Sequence, residues 1–409
     1  MRSDAAPRSR ARDVVWFTLG VLLPVPWVVA QAFEGLGLSF EMTAVLAGGA
    51  ILGAAFMLSW ACEVAERDIP QSLALLVLAL VGVLPEYAID LHFAWMAGQD
   101  PVYAGYAVAN MTGANRLLIG FGWAAVVLAA CWKSRTRELI VHPRQRLELR
   151  FLIWATLYSF VIPLSGSISL LDAIVLLGLF VAYLRAAFKG EHEEVELAGP
   201  ARLIDSEFQN LGRRAWAIML FVFAAAAIFI AAEPFAESLV HLGRNYDVDE
   251  FLLVQWVAPL ASESPEFVVA LLFALKLRGS VGIGALISSK VNQWTLLVGA
   301  IPITYAISLG AARGLPLDDR QVQELLLTSA QSLLAAIMLA DLRFSRKEAL
   351  VLAALFAGQL LFPGSAVRWA FTGIYLVASI GLLTLGPKRQ RDAFLQLLLP
   401  RWGGSERAT

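Results

Sequence analysis

Apolar runs about twenty residues long divide the whole chain, and they constrain its fold more than any other feature. A helix needs about 20 apolar residues to cross a bilayer, because each residue adds ~1.5 Å. Hydrophobic residues make up 58% of the 409 residues and charged residues only 16%, whereas a soluble chain is about one quarter charged. The sequence therefore predicts an all-α integral membrane protein.

The apolar runs predict about twelve transmembrane helices. They lie near residues 14–33, 42–63, 71–97, 102–132, 149–166, 169–188, 215–239, 250–277, 282–309, 322–340, 347–363 and 367–386. Lys and Arg concentrate in every second connection, and cytoplasmic loops collect these residues. This pattern predicts that both termini are cytoplasmic. Because no organelle-targeting signal is visible, we expect a multi-pass protein of a bacterial-type plasma membrane.

Several ionisable residues lie inside the predicted spans. Those near mid-span are Glu86, Asp90, Arg116, Glu263, Glu266 and Lys290. A charge at this depth costs several kcal/mol unless it is paired or hydrated, so it indicates a functional site. Two of the acids directly follow a proline, at Pro85-Glu86 and Pro265-Glu266. Proline frees the carbonyl one turn earlier, and carbonyls and carboxylates are the oxygen ligands that hard cations prefer.

The two proline–glutamate segments begin similar stretches of sequence. Each is followed by a span of small and polar residues, 109–115 in the first half and 284–290 in the second. Small residues allow helices to approach closely. In the predicted topology the first helix starts in the cytoplasm and the second starts outside, so the stretches run in opposite directions. Inverted repeats with broken helices and a midplane site are typical of secondary transporters.

At these residues the sequence resembles the calcium/cation antiporter superfamily, which includes sodium/calcium and cation/proton exchangers. The repeats of that family read roughly G-T-S-x-P-E followed by G-N-x-x-G-S-N, and the resemblance covers residues 35–363. It implies two inverted five-helix repeats with one extra helix at each end. The implied regions are 1–34 (basic N-terminus and extra helix), 35–188 (first repeat), 189–213 (cytoplasmic linker), 214–363 (second repeat) and 364–409 (extra helix and basic tail).

The resemblance also implies a site and an activity. The family's two central glutamates fall on Glu86 and Glu266, which it implies as the main ion ligands. Further oxygens are implied at Gly82, Asn110, Asn115, Ser262 and Ser289. The implied activity is secondary antiport of calcium or another cation against protons or sodium, by alternating access. We expect inorganic cations and the lipid bilayer as partners, no cofactor beyond the transported ion and, with a net charge of -1, no nucleic acid. The oligomeric state stays open.

The chain departs from the family pattern at several of these positions. Lys290 replaces a second-repeat asparagine, and Arg116 follows Asn115 where the family is usually apolar. Leu118 and Gln293 occupy positions that often carry further polar or acidic ligands. The resemblance therefore supports antiporter ancestry without implying the usual ion stoichiometry.

Each repeat adds one acid and one base, namely Asp90 with Arg116 and Glu263 with Lys290. Buried charges are tolerated mainly when they are paired. We therefore hypothesise that the extra charges pair and leave Glu86 and Glu266 as the dicarboxylate for a cation or protons. The Lys290 ammonium could occupy a site that sodium fills in relatives, or lose its proton. Either role favours proton coupling, and a purely structural role is the alternative.

Three other functions compete with a calcium antiporter. A sodium/proton exchanger that ignores calcium is favoured by Leu118 and Gln293, because calcium takes six to eight oxygen ligands. A degenerate relative that no longer transports is the second, since Arg116 and Lys290 could lock the site. A membrane enzyme is the third. The sequence contains no HExxH motif, phosphate loop or nucleophile elbow, so we expect no enzymatic activity.

Overall fold

The computed structural model describes residues 7–33, 37–65, 84–188, 197, 199–208, 210–362 and 364–399. Gly82, most of the acidic linker and the first half of the predicted span 71–97 lie outside the described residues. The chain divides into two compact units. The first comprises Met1–Ala114, Leu184–Val269 and Ala300–Leu315, and the second comprises Asn115–Tyr183, Ala270–Gly299 and Pro316–Thr409.

Helices dominate the described chain. Those before the linker are α1 (Pro7–Leu22), α2 (Val25–Ala32), α3 (Phe40–Ala65), α4 (Leu84–Ala97), α5 (Tyr103–Leu117), α6 (Ala124–Ser134), α7 (Arg146–Ser159) and α8 (Leu170–Ala187). Those after it are α9 (Pro200–Glu207), α10 (Asn210–Tyr246), α11 (Glu250–Leu275), α12 (Gly279–Asn292), α13 (Val298–Leu309), α14 (Asp319–Leu339), α15 (Arg346–Leu361), α16 (Ser365–Leu385) and α17 (Lys388–Leu398). The strands are β1 (Glu138–Ile140), β2 (Ser167–Ile168), β3 (Leu315–Pro316) and β4 (Arg343–Ser345).

Eight helices in the described part of the chain are long and apolar enough to cross a membrane, or nine when the bent helix α11 is taken as one span. The chain is therefore a multi-pass, mainly helical membrane protein. Three other predicted spans do not meet this test as described. One is represented only by α4, one by the helical stretch α12 to α13, and one by α15, which has 16 residues. The total of twelve stays a prediction.

Local sequence explains where several helices of the second unit begin. Helix α14 starts after Asp318, whose side chain accepts from the backbone N–H of Gln321, and the Gln321 side chain accepts in turn from the backbone N–H of Asp318. Helix α15 starts with the same reciprocal pair of bonds between Ser345 and Glu348. Such capping boxes satisfy two orphan backbone donors. Strand β4 directly precedes α15 and pairs antiparallel with β1, with Leu139 opposite Phe344.

The core of the first unit forms where α3 packs along α10. Small side chains such as Ala54 and Ala224 let the two helices approach, and Met57 and Leu220 fill the remaining space. In the second unit α14 packs against α16 and α7. Helix α14 is buried on nearly all sides although it carries several polar residues, so those residues need partners inside the protein.

The long helices are interrupted where the predicted site residues lie. Helix α11 bends by 55° between Ser264 and Glu266, in agreement with the break predicted at the intervening proline. Helix α4, described from Leu84 onward, carries Pro85 directly before Glu86. Two π-helical segments, Leu118–Trp123 and Gln293–Leu297, were not predicted.

Candidate functional site: an acidic cluster and a separate set of buried bases

Four predicted acids lie together in the first unit. Glu86 and Asp90 are one turn apart on α4, so they share a face of that helix, and both are buried. Glu263 and Glu266 lie on the two sides of the bend in α11; Glu263 is buried and Glu266 is half-buried. Ser262, beside them, is buried and its hydroxyl donates to the Ala258 carbonyl at 3.3 Å.

The acids lie close to one another. The Glu263 carboxyl is near enough to those of Glu86, Glu266 and Asp90 for their charges to interact. Like charges this close in a buried site oppose one another's ionisation, so a proton or a cation that neutralises one of them relieves the repulsion. The cluster therefore suits an exchangeable positive charge.

An asparagine completes this acidic cluster. Asn110 Nδ2 on α5 donates to Asp90 Oδ1 at 2.9 Å, and both residues are fully buried. Their other oxygens, Asp90 Oδ2 and Asn110 Oδ1, accept no hydrogen bond within the described part of the chain. Buried polar atoms are almost always satisfied, so these two oxygens indicate a ligand.

Carboxylate and amide oxygens of this kind suit a hard cation as well as protons. Among the described residues, no group of three or more Asp, Glu, His or Cys side chains converges tightly enough to hold a metal ion as it stands. The arrangement is that of neighbouring buried and half-buried carboxyl groups beside an amide oxygen.

The predicted bases lie in the second unit, and Arg116 is paired with an acid that sequence reasoning missed. Arg116 Nη2 on α5 lies 2.5 Å from Glu324 Oε2 on α14, and both side chains are 3% exposed. Arg368 on α16 approaches the other Glu324 oxygen at 3.6 Å. Glu324 stands near the start of the predicted span 322–340, and this charge in an apolar run was the signal available.

Lys290 is buried among neutral oxygens and an aromatic ring. Its Nζ donates to Asn115 Oδ1 and, at 3.4 Å, to the Asn115 carbonyl. The same ammonium lies 4.3 Å from the centre of the Trp294 ring, which favours a cation. An ammonium therefore binds the very amide oxygen that the family resemblance implies as an ion ligand.

The remaining predicted residues lie close by in sequence and are buried. Gln293 is fully buried and begins the second π segment, while Ser289 precedes Lys290 with a buried hydroxyl that has no hydrogen-bond partner in the described chain. The structure thus brings together one set of predicted residues in each unit. The first set is Glu86, Asp90, Asn110, Ser262, Glu263 and Glu266, and the second is Asn115, Arg116, Ser289, Lys290 and Gln293. The hypothesis that Glu263 pairs with Lys290 stays a prediction.

Known proteins resemble the chain along most of its length. A crystal structure of the H+/Ca2+ exchanger CAX is 45% identical, has a TM-score of 0.89 and matches over 94% of this chain and 97% of that one. Native YfkE is 14% identical with a TM-score of 0.60, over 89% of this chain and 99% of that one. The sodium-calcium exchanger NCX_Mj is 18% identical with a TM-score of 0.53, over 87% and 99%. The latter two share the fold.

Sequence comparisons agree with the structural ones. An uncharacterized membrane protein of Methanocaldococcus jannaschii is 21% identical over 229 residues, which are 55% of this chain and 68% of that protein. The sequence pattern of the sodium/calcium exchanger protein family matches residues 38–189 and 216–364. These two ranges cover most of the chain and contain both sets of site residues, so the chain belongs to the sodium/calcium exchanger protein family.

Proposed function

We propose that the chain is a secondary antiporter that exchanges calcium for protons by alternating access. The observation that carries this proposal is the cluster of neighbouring carboxyl groups, with Glu263 close to Glu86, beside the buried, unsatisfied oxygens of Asp90 and Asn110. Such a cluster would hold protons where cation ligands are gathered. The 45% identity to an H+/Ca2+ exchanger supports the same choice of ions.

In this mechanism protons and the cation compete for the same carboxyl groups. Glu86 and Glu266 act as the main ligands, and calcium entering between them releases the protons held by the cluster. The bend in α11 adds backbone oxygen, because the proline at 265 has no N–H for the carbonyl of Ala261, next to Ser262. This competition couples the two ions, because the site changes the membrane side to which it is exposed while it is loaded either with calcium or with protons.

Lys290 supports protons over sodium as the coupling ion. Its ammonium binds Asn115 Oδ1, so a fixed positive charge holds an oxygen that would otherwise be open to a mobile cation. A charge attached to the chain cannot be transported. The number of mobile sodium ions that such a protein can couple is thereby reduced.

The architecture proposed for this function is twelve helices in two inverted five-helix repeats, with an extra helix at each end. The proposed regions are those given above, 1–34, 35–188, 189–213, 214–363 and 364–409. Matching helix breaks support it, since one π segment starts three residues after Asn115 and the other three residues after Lys290. The alternation of basic loops supports a plasma-membrane location with both termini in the cytoplasm.

A sodium/proton exchanger is the second candidate. The observation that favours it is again the engagement of Asn115 by Lys290, which leaves fewer oxygens for calcium than the six to eight that calcium takes. A relative locked by its own charges is the third, and the buried Arg116–Glu324 pair favours it.

The test is ion-driven proton movement in proteoliposomes that hold the purified chain and a pH-sensitive dye. Calcium, sodium and potassium are added one at a time, with Glu86→Gln as the control. We expect proton movement on addition of calcium and none in the variant. A response to sodium alone would select the second candidate. Silence with all three, together with no uptake of labelled calcium under a sodium gradient, would select the locked relative.

A further inference from the structure

Two helices change to π geometry at matching positions. The first π segment, Leu118–Trp123, starts three residues after Asn115, and the second, Gln293–Leu297, starts three residues after Lys290. In a π turn each N–H reaches back five residues instead of four. The backbone hydrogen bonds around these residues are therefore not those of a regular α-helix.

A side chain donates to a carbonyl shortly before each π segment. The carbonyl of Arg116, one residue after Asn115, accepts from Gln331 Nε2 at 3.0 Å. The carbonyl of Val291, one residue after Lys290, accepts from Thr295 Oγ1 at 2.6 Å, an i−4 bond that threonines in ordinary helices also make. Gln331 lies on α14, more than two hundred residues away in sequence, so tertiary packing supplies the contact before the first π segment.

Gln331 is itself oriented by a second glutamine. Gln359 Nε2 on α15 donates to Gln331 Oε1 at 2.9 Å, which turns the Gln331 amide nitrogen towards Arg116. Gln331 is fully buried and Gln359 nearly so. A buried carboxamide is costly unless it is hydrogen-bonded, and an apolar side chain would fill the space without that requirement. Packing alone therefore does not explain this pair.

We propose that Gln331, oriented by Gln359, is a positioning residue for the transport site. It holds the Arg116 carbonyl and so fixes the backbone between Asn115 and the start of the π segment. Asn115 receives the Lys290 ammonium through both its side chain and its carbonyl, so a shift of this backbone displaces both oxygens. The proposal rests on the proposed function for its effect on transport, and on the structure alone for its effect on the helix.

The test compares Gln331→Leu with a matched control, Gln390→Leu. Gln390 on α17 is also a buried glutamine of the second unit, and its Nε2 donates to the Met338 carbonyl of α14 at 2.8 Å and to Glu348 Oε1 at 3.0 Å. Each variant loses one amide-to-carbonyl bond and one further side-chain hydrogen bond. We expect the KM for calcium to rise roughly three- to tenfold in Gln331→Leu, the range for one lost buried hydrogen bond, and to stay unchanged in Gln390→Leu. Gln359→Leu should also raise the KM for calcium, by a smaller factor.

Hydrogen exchange supplies a readout that needs no transport. The amides of residues 116–123 should exchange faster in Gln331→Leu than in the wild type or Gln390→Leu. Unchanged exchange there would overturn the proposal, and so would faster exchange with an unchanged KM. If the wild type moves no calcium or protons, the proposed function fails, while the exchange rates still decide whether Gln331 holds the segment.

Discussion

The two units of the chain hold their buried charges in opposite ways. In the first unit acids lie beside acids, with the Glu263 carboxyl close to those of Glu86 and Glu266. In the second unit bases lie beside acceptors, with Arg116 on Glu324 and Lys290 on Asn115. Like charges repel strongly in a low-dielectric interior, whereas opposite charges with good geometry compensate each other.

This difference indicates that the charge balance of the acidic cluster depends on ions from solution, whereas that of the buried bases does not. The acidic cluster is stable only while protons or a cation neutralise some of its carboxylates, so its state follows pH and cation concentration. The buried bases carry their compensation on side chains of the same protein. We infer that the first unit supplies the exchangeable charge and the second supplies fixed positive charge, and the following variants test that contrast.

The largest expected effect is on Glu86. Glu86→Gln removes a carboxylate that is both a proposed ligand and a close neighbour of Glu263, so calcium-driven proton movement should be abolished. The matched control is Asp172→Asn in the second unit, a buried acid bonded to Tyr158 at 2.7 Å. The control should retain transport in the proteoliposome assay. Equal loss in both variants would contradict a special role for the acidic cluster.

The next effect concerns the Arg116–Glu324 pair. Arg116→Met should reduce the free energy of unfolding by about 3–5 kcal/mol, because it leaves a buried charge without its nearest partner. Adding Glu324→Gln should restore most of that loss, since the uncompensated charge is then removed. Chemical unfolding of Arg116→Met, Glu324→Gln and the double variant in detergent measures the coupling energy between the two side chains. Simple addition of the two single losses would show that the pair is not a stabilising unit.

Lys290 tests whether the fixed charge replaces a mobile one. Lys290→Asn restores the residue type of the family motif and should lower calcium-driven transport about tenfold, as expected for loss of a charge-assisted hydrogen bond. It should also make transport sensitive to sodium, because an oxygen replaces the ammonium. Lys290→Met should lower transport without sodium sensitivity. Sodium sensitivity in both, or in neither, would contradict the replacement.

The smallest expected effect is on Asn110. Asn110→Leu removes the hydrogen bond to Asp90 and should raise the KM for calcium roughly three- to tenfold. The control is Thr156→Val, which removes a buried hydroxyl that has no hydrogen-bond partner among the described residues, and it should leave the KM unchanged. A KM for Asn110→Leu equal to that of the control would exclude Asn110 from the site.

The sequence by itself determined the class of protein and the residues worth examining. Long apolar runs require a membrane, and an ionisable residue within such a run is conspicuous because its cost is high wherever the helix packs. Glu86, Asp90, Glu263, Arg116 and Lys290 were all recognised in this way, and all five are buried. A proline in an apolar run also predicts a break on covalent grounds, and the bend in α11 agrees.

Only the tertiary structure decided which partner each buried group has. Glu324 and Gln331 reach Arg116 from more than two hundred residues away, and no local pattern in the sequence records that approach. The turn before the first π segment has a contact of the same kind, because the side chain that donates to the Arg116 carbonyl comes from α14. Hydropathy fixes the cost of burying a charge, whereas the side chains that neutralise it are set by how the helices pack.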